Sequence, residues 1–169
     1  MEKTDVRYGA YIKILEEELK PAMGCTEPIA LAYAAAVARK VLGCLPERVA
    51  IGASGSIIKN VKSVIVPNTD HLKGIPAAAA AGIVAGDPDK ELEVIASVSK
   101  EQIAEMKKFL AETPISVEHV DNGLVFEIVV RLFKGEDSSM VRIVNYHTNI
   151  VHIDRPCWRN GFIHPFLGI

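Results

Sequence analysis

Cysteine is scarce in this chain. Cys25, Cys44 and Cys157 are the only three in 169 residues, they lie far apart, and no two form a C-x-x-C pair. An odd, scattered set without a secretory signal does not suggest a disulfide framework. It also excludes a self-contained zinc or iron–sulfur site, which needs about four ligands at recognisable spacings. A cluster bound here would take ligands from outside the chain. Excess charge is lacking too: 19 Lys and Arg stand against 21 Asp and Glu, for a net charge of −2. That balance argues against a nucleic-acid partner, which calls for a basic surface. No apolar run is long enough for a membrane span; the longest, residues 75–85, is short and alanine-rich. Met1 leads straight into Glu2, Lys3 and Asp5, so the expected location is the cytoplasm. The phosphate-loop pattern G-x-x-x-x-G-K-S/T and the dinucleotide pattern G-x-G-x-x-G are both missing, and so is the G-x-S-x-G nucleophile elbow.

What is present has the balance of a folded domain, with 49% hydrophobic and 24% charged residues. Tyr8, Tyr11, Ile12, Leu15 and Leu19 recur at helical spacing, which predicts a helix from a Thr4 cap to about Lys20, stopped by Pro21. A second helix is expected over 27–42, with Pro28 in its first turn and Gly43 as its stop. Its alanines leave room for neighbouring backbones to approach closely. Residues 48–53 read as a strand, 54–60 as a loop, 61–66 as a further apolar run, and 75–85 as another alanine-rich helix. After Pro88 the texture changes. Ser99 opens an amphipathic helix, and three or four β-branched strands follow, at 115–120, 124–133, 140–146 and 148–153. Asn122-Gly123 is a hairpin signal. The expected fold is α+β: an alanine-rich helical unit over 1–90, then a small α+β unit with antiparallel strands over 91–153. Residues 154–169, which hold the only tryptophan, follow neither pattern.

Two stretches carry chemistry. In Gly24-Cys25-Thr26-Glu27-Pro28 a thiol lies where a helix begins, beside unpaired N–H groups and the positive end of the helix dipole. That setting favours a thiolate able to bind metal or act as nucleophile or base, with Glu27 as a proton carrier. The plainer alternative is a small buried cysteine beside a Thr/Glu cap. Between 52 and 70, Ser54, Ser56, Lys59, Asn60, Asn68 and Thr69 place small polar groups and one cation between apolar runs. Such a segment suits a carboxylate-bearing small molecule, or is simply a set of turns. His147, between strands, either reaches such a site or lies on a sheet face.

Three ordered motifs, GCTEP, SGSIIKNVKSVIVPNT and KGIPAAAAAGIVAGD, resemble the PLP-independent L-cysteine desulfidase family, also described as serine dehydratase-like, alpha-chain type. The likeness extends over about residues 5–153, with the segment after 90 similar to an inserted domain of that family. It implies a lyase that eliminates hydrogen sulfide from L-cysteine, or water from L-serine, to give pyruvate and ammonia with a 4Fe-4S cluster as Lewis acid. By the same resemblance Cys25 is a cluster ligand or base, with Glu27 and Lys59 beside it in catalysis. Thr26, Ser54, Ser56, Asn60, Asn68, Thr69 and His147 hold the substrate. Ser56 stands where the family pattern usually has asparagine. Family members are longer, and their remaining cysteines lie in a carboxy-terminal part without counterpart here. The chain therefore reads as an amino-terminal portion that binds no cluster alone, completed by the missing half or a partner subunit, and inclined to form a homo-oligomer. The rival is a cluster-free domain that binds or senses a small amino acid.

Overall fold

The structure is a computed structural model that describes residues 2–19, 22 and 24–155. Lys20, Pro21, Cys157 and the rest of the 156–169 tail lie outside the described residues. Five helices, α1 (Tyr8–Glu18), α2 (Thr26–Leu42), α3 (Gly55–Val61), α4 (Gly74–Ala85) and α5 (Lys100–Glu112), join five strands, β1 (Arg48–Ala53), β2 (Ile115–His119), β3 (Glu127–Lys134), β4 (Asp137–Val144) and β5 (Ile150–Asp154). A 3-10 turn covers Pro88–Glu93. The strands form one sheet in the order β2-β1-β3-β4-β5. The protein is α+β.

Alanine sets the spacing of the helical layer. α2 and α4 pack directly on each other, with Ala30, Ala32, Ala34 and Ala35 of one and Ala78 to Ala81 of the other fully buried. At their crossing Gly82 has no room for a methyl group: a Cβ there would meet the carbonyl oxygen of Ala32 and lie 2.8 Å from its carbonyl carbon. The close backbone approach expected from the alanines is therefore real. α2 ends where expected, with Gly43 at φ +81 donating its N–H to the Arg39 carbonyl, a geometry that favours glycine. α5 begins with a capping box, in which Ser99 and Gln102 exchange side-chain-to-backbone hydrogen bonds of 2.9 and 3.2 Å.

The sheet follows the alternation rule. Val49, Ile51, Ile128, Val130, Leu132, Val141 and Ile143 point toward the helices and are buried with Ile29, Leu31 and Met106 in one core. That core draws on residues from both sides of position 90. Ala50, Gly52, Val129, Arg131, Met140 and Arg142 alternate to the opposite face.

Several expectations are corrected. The 54–60 segment is helix α3 rather than a loop, and 61–66 contributes only an isolated bridge between Ile65 and Lys73. α1 starts at Tyr8, and Thr4 does not cap it. Asn122-Gly123 makes a turn, with Gly123 at φ +82 and the Asn122 side chain accepting from the Leu124 N–H at 3.2 Å, but not a hairpin. β1 lies between β2 and β3, so the 120–126 connection crosses the width of one strand. β1 pairs with β2 in parallel and with β3 antiparallel, which makes the sheet mixed instead of wholly antiparallel. The helical crossover from β1 to β2 is what a parallel pair requires.

Candidate functional site

Gly24, at φ +95, turns the chain into α2, and Cys25 is the residue that caps its start, with extended backbone. Glu27 falls in the first helical turn, where a carboxylate is favoured by the free N–H groups. The Cys25 thiol donates to Glu27 Oε2 at 3.0 Å. Asn60, near the end of α3, donates its Nδ2 to Glu27 Oε1 at 3.2 Å. Both oxygens of the carboxylate are thus held, one by a thiol and one by an amide from another helix. His147 comes in from the β4–β5 connection, half-buried, with its ring edge-on to Phe126 at 4.7 Å between centroids.

The electrostatics around Cys25 favour the protonated thiol. Partial burial pushes the Cys25 thiol above its ordinary pKa, and the neighbouring Glu27 charge pushes it further. The Glu27 backbone N–H, the helix-terminus group that favours thiolate, is the weakest influence. Glu27 moves the other way: the thiol hydrogen bond holds its carboxyl below the usual range, with smaller help from Asn60 and His147. The proton therefore sits on sulfur and the charge on the carboxylate. Desolvation pushes His147 below the usual histidine value, opposed in part by the Glu27 charge, so its ring is neutral at pH 7. The cluster pairs an ionised acceptor with a protonated thiol and sets a neutral imidazole in electrostatic reach.

The other expected residues divide. Ser56 lies one turn before Asn60 and so shares its face of α3, exposed; Lys59 is exposed on the last turn of that helix, and Thr26 is half-buried at the first position of α2. Ser54, Asn68 and Thr69 make hydrogen bonds within the fold. The buried Ser54 hydroxyl donates to the Val125 carbonyl at 2.8 Å and accepts from the Glu127 N–H at 3.3 Å. Thr69, also buried, donates to the Val66 carbonyl at 2.7 Å, and the Asn68 amide donates to the carbonyls of Ile95 and Ala96 at 3.0 and 3.3 Å. Asn68, Asp70 and His71 all have positive φ, within the residue types that tolerate that region best.

Comparison with known proteins finds kin at this point. The chain is similar to UPF0597 proteins. One from Desulfitobacterium hafniense is 54% identical over 155 residues, which is 92% of this chain and 36% of the relative. Others from Lachnoclostridium phytofermentans and Treponema denticola are 47% and 43% identical, over 88% and 86% of this chain and 36% and 34% of theirs. The chain spans about a third of the length of the curated relatives it matches. No family profile matches it. The relatives' names state no activity, substrate or cofactor.

Among the described residues, no three His, Cys, Asp or Glu side chains come together in a group able to hold a metal ion. Cys44, the other free thiol among them, follows the far end of α2 from Cys25. One thiol does not fit the four-ligand demand of a 4Fe-4S cluster. No helix among the described residues is long and apolar enough to cross a membrane. A feature that the motif reading passed over is Glu127, a carboxylate inside the apolar run Val125–Val130, where it is 2% exposed. A charge in such a run was the available signal.

Proposed function

We propose that the chain is the amino-terminal portion of a lyase that eliminates hydrogen sulfide from L-cysteine, or water from L-serine, and that the Cys25–Glu27–Asn60 cluster is its share of the proton-handling machinery. The observation that carries this reading is the 3.0 Å hydrogen bond between a protonated thiol and an ionised carboxylate at a helix start. Elimination needs a base to take the α-proton while the bond from Cβ to sulfur or oxygen breaks, leaving an enamine that hydrolyses to pyruvate and ammonia. Glu27 is the proton acceptor once a substrate displaces the thiol from Oε2, and Asn60 keeps the other oxygen aimed. Cys25 holds a proton for return to the leaving group or to carbon, and the neutral His147 ring accepts or relays one. Lys59, Ser56 and Thr26 border the cluster as groups for the substrate carboxylate. The iron–sulfur centre of such an enzyme would take its ligands from outside the described residues. The proposed setting is the cytoplasm, with the protein completed by a partner subunit or by copies of itself. The exposed Tyr11, Ile14 and Leu15 of α1 and Leu19 at its end support an association surface there.

The test is anaerobic incubation of the chain with iron and sulfide, iron counting, then pyruvate release from L-cysteine and L-serine alongside L-serine titration by NMR. The reading expects L-serine to shift signals of α2 and α3 and Glu27→Gln to abolish that response. Binding that persists without turnover even when the completing partner portion is supplied favours the amino-acid-sensing alternative. No binding and no turnover would overturn both.

A further inference from the structure

The sheet face turned away from the helices holds a cavity of about 450 Å³ lined by Asn122, Glu127, Val129, Arg131, Met140 and Arg142. Its floor follows from the strand register. Gly52, Val129, Arg142 and His152 form one cross-strand row, and Ala50, Arg131, Met140 and Asp154 the next. The small residues in β1 leave a depression beside the longer side chains of β3 and β4. Arg131 and Arg142 are diagonal neighbours on adjacent strands, and both line this cavity.

Their charges are unequally answered. Arg142 Nε donates to Glu127 Oε1 at 2.7 Å, and Asn122 donates to the other oxygen of that buried carboxylate. The carboxylate is thereby satisfied, and the terminal nitrogens of Arg142 have no hydrogen bond among the described residues. Arg131 has no hydrogen-bond or ion-pair partner among the described residues. At the rim His152 is taken by Asp154 at 2.7 Å, and the exposed Glu118 of β2, on the same face across β1, makes no ion pair among the described residues. A cavity that combines one unanswered guanidinium, the free end of a second and an apolar wall of Val129 and Met140 is complementary to an oxyanion with a short hydrocarbon body.

We infer that this cavity binds a small organic anion, whose carboxylate or phosphate lies between Arg131 and Arg142 and whose apolar part lies on Val129 and Met140. Glu127 and Asn122 act as positioning residues, holding the Arg142 fork in place. The site is on the sheet face opposite the core and stands independently of the lyase reading.

Titration of isotope-labelled protein with isovalerate and, separately, with inorganic phosphate tests it by NMR. Isovalerate is expected to shift amides of β3 and β4 around Val129, Arg131 and Arg142, and to saturate below about 10 mM. Arg131→Gln, at an exposed position where folding is not at stake, should weaken that binding about tenfold, and Arg131→Lys should restore part of it. Tighter binding of isovalerate than of phosphate supports the apolar wall as part of the site, while saturation by phosphate alone overturns that assignment. Shifts that never saturate with either anion, or that are unchanged in Arg131→Gln, overturn the inference.

Discussion

A single methyl group tests how the alanine-rich layer is built. Gly82→Ala would ordinarily help a helix by about 1 kcal/mol, because glycine loses more backbone freedom on folding. At this position the new Cβ meets the backbone of Ala32 and of nothing softer: its carbonyl oxygen, its carbonyl carbon at 2.8 Å and its Cα at 2.9 Å. No side-chain rotation relieves that contact, so α2 and α4 must move apart and loosen the alanine contacts on either side. Overpacking of a well-filled core costs about 1–3 kcal/mol, and backbone-on-backbone crowding belongs at or above the top of that range. Less the helix gain, the net loss is about 2 kcal/mol, which for a domain of this size lowers the melting midpoint by about 4–8 °C. Gly9→Ala is the internal control. It lies in α1 with nothing within 4 Å of its added Cβ, so the same substitution there should raise stability by up to about 1 kcal/mol. Urea and thermal unfolding followed by circular dichroism read both. A Gly82→Ala protein as stable as the parent, or shifted in the same direction as Gly9→Ala, would refute the account of the interface.

Glu27→Gln should increase Cys25 reactivity, since the Glu27 charge and hydrogen bond help hold the thiol protonated; alkylation rate against pH, with Cys25→Ser as blank, should shift to lower pH. His147 has a folded pKa below its ordinary 6.5, so the unfolded chain takes up the proton first. Its neutral form therefore stabilises the fold above that value, and His147→Gln should remove part of the stability loss seen as pH falls below 6.5 in denaturant titrations. Ser54→Ala orphans the Val125 carbonyl and the Glu127 N–H, and should cost about 1–3 kcal/mol in urea unfolding, with the Cys25 titration unmoved. Arg142→Ala leaves the buried Glu127 carboxylate with Asn122 alone, and a loss of about 2 kcal/mol is expected in urea unfolding at pH 7.

What could be read from the sequence was local. Gly43 and Ser99 mark helix ends through backbone conformation and capping chemistry, and both stand where their spacing put them. β1 occupies the residues its alternation indicated. α3 escaped because seven residues with a glycine and two β-branched isoleucines give no stretch long enough for a helical period to emerge. The strand order escaped for a different reason: Asn122-Gly123 bends the chain locally, but which strand lies alongside is decided by β1, more than sixty residues earlier. The site shows the same division. Cys25 and Glu27 are near neighbours in sequence, and their pairing was open to inspection. The direction of the proton depended on a 3.0 Å placement that no spacing specifies, and the hydrogen bonds of Ser54, Asn68 and Thr69 depended on carbonyls brought from residues 66, 95, 96 and 125.

The central position of β1 has a kinetic consequence. Val49 pairs with Ile115 on one side and Leu132 on the other, so a strand synthesised early waits for both its partners. Until the ribosome has released residue 119, β1 carries two bare hydrogen-bonding edges, and one stays bare until residue 134 follows. Contacts of such long sequence separation slow folding, and unpaired edges invite pairing between chains. The interval between making β1 and closing the sheet is thus when this chain is most exposed to aggregation, and a slowed passage through residues 54–114 would lengthen it.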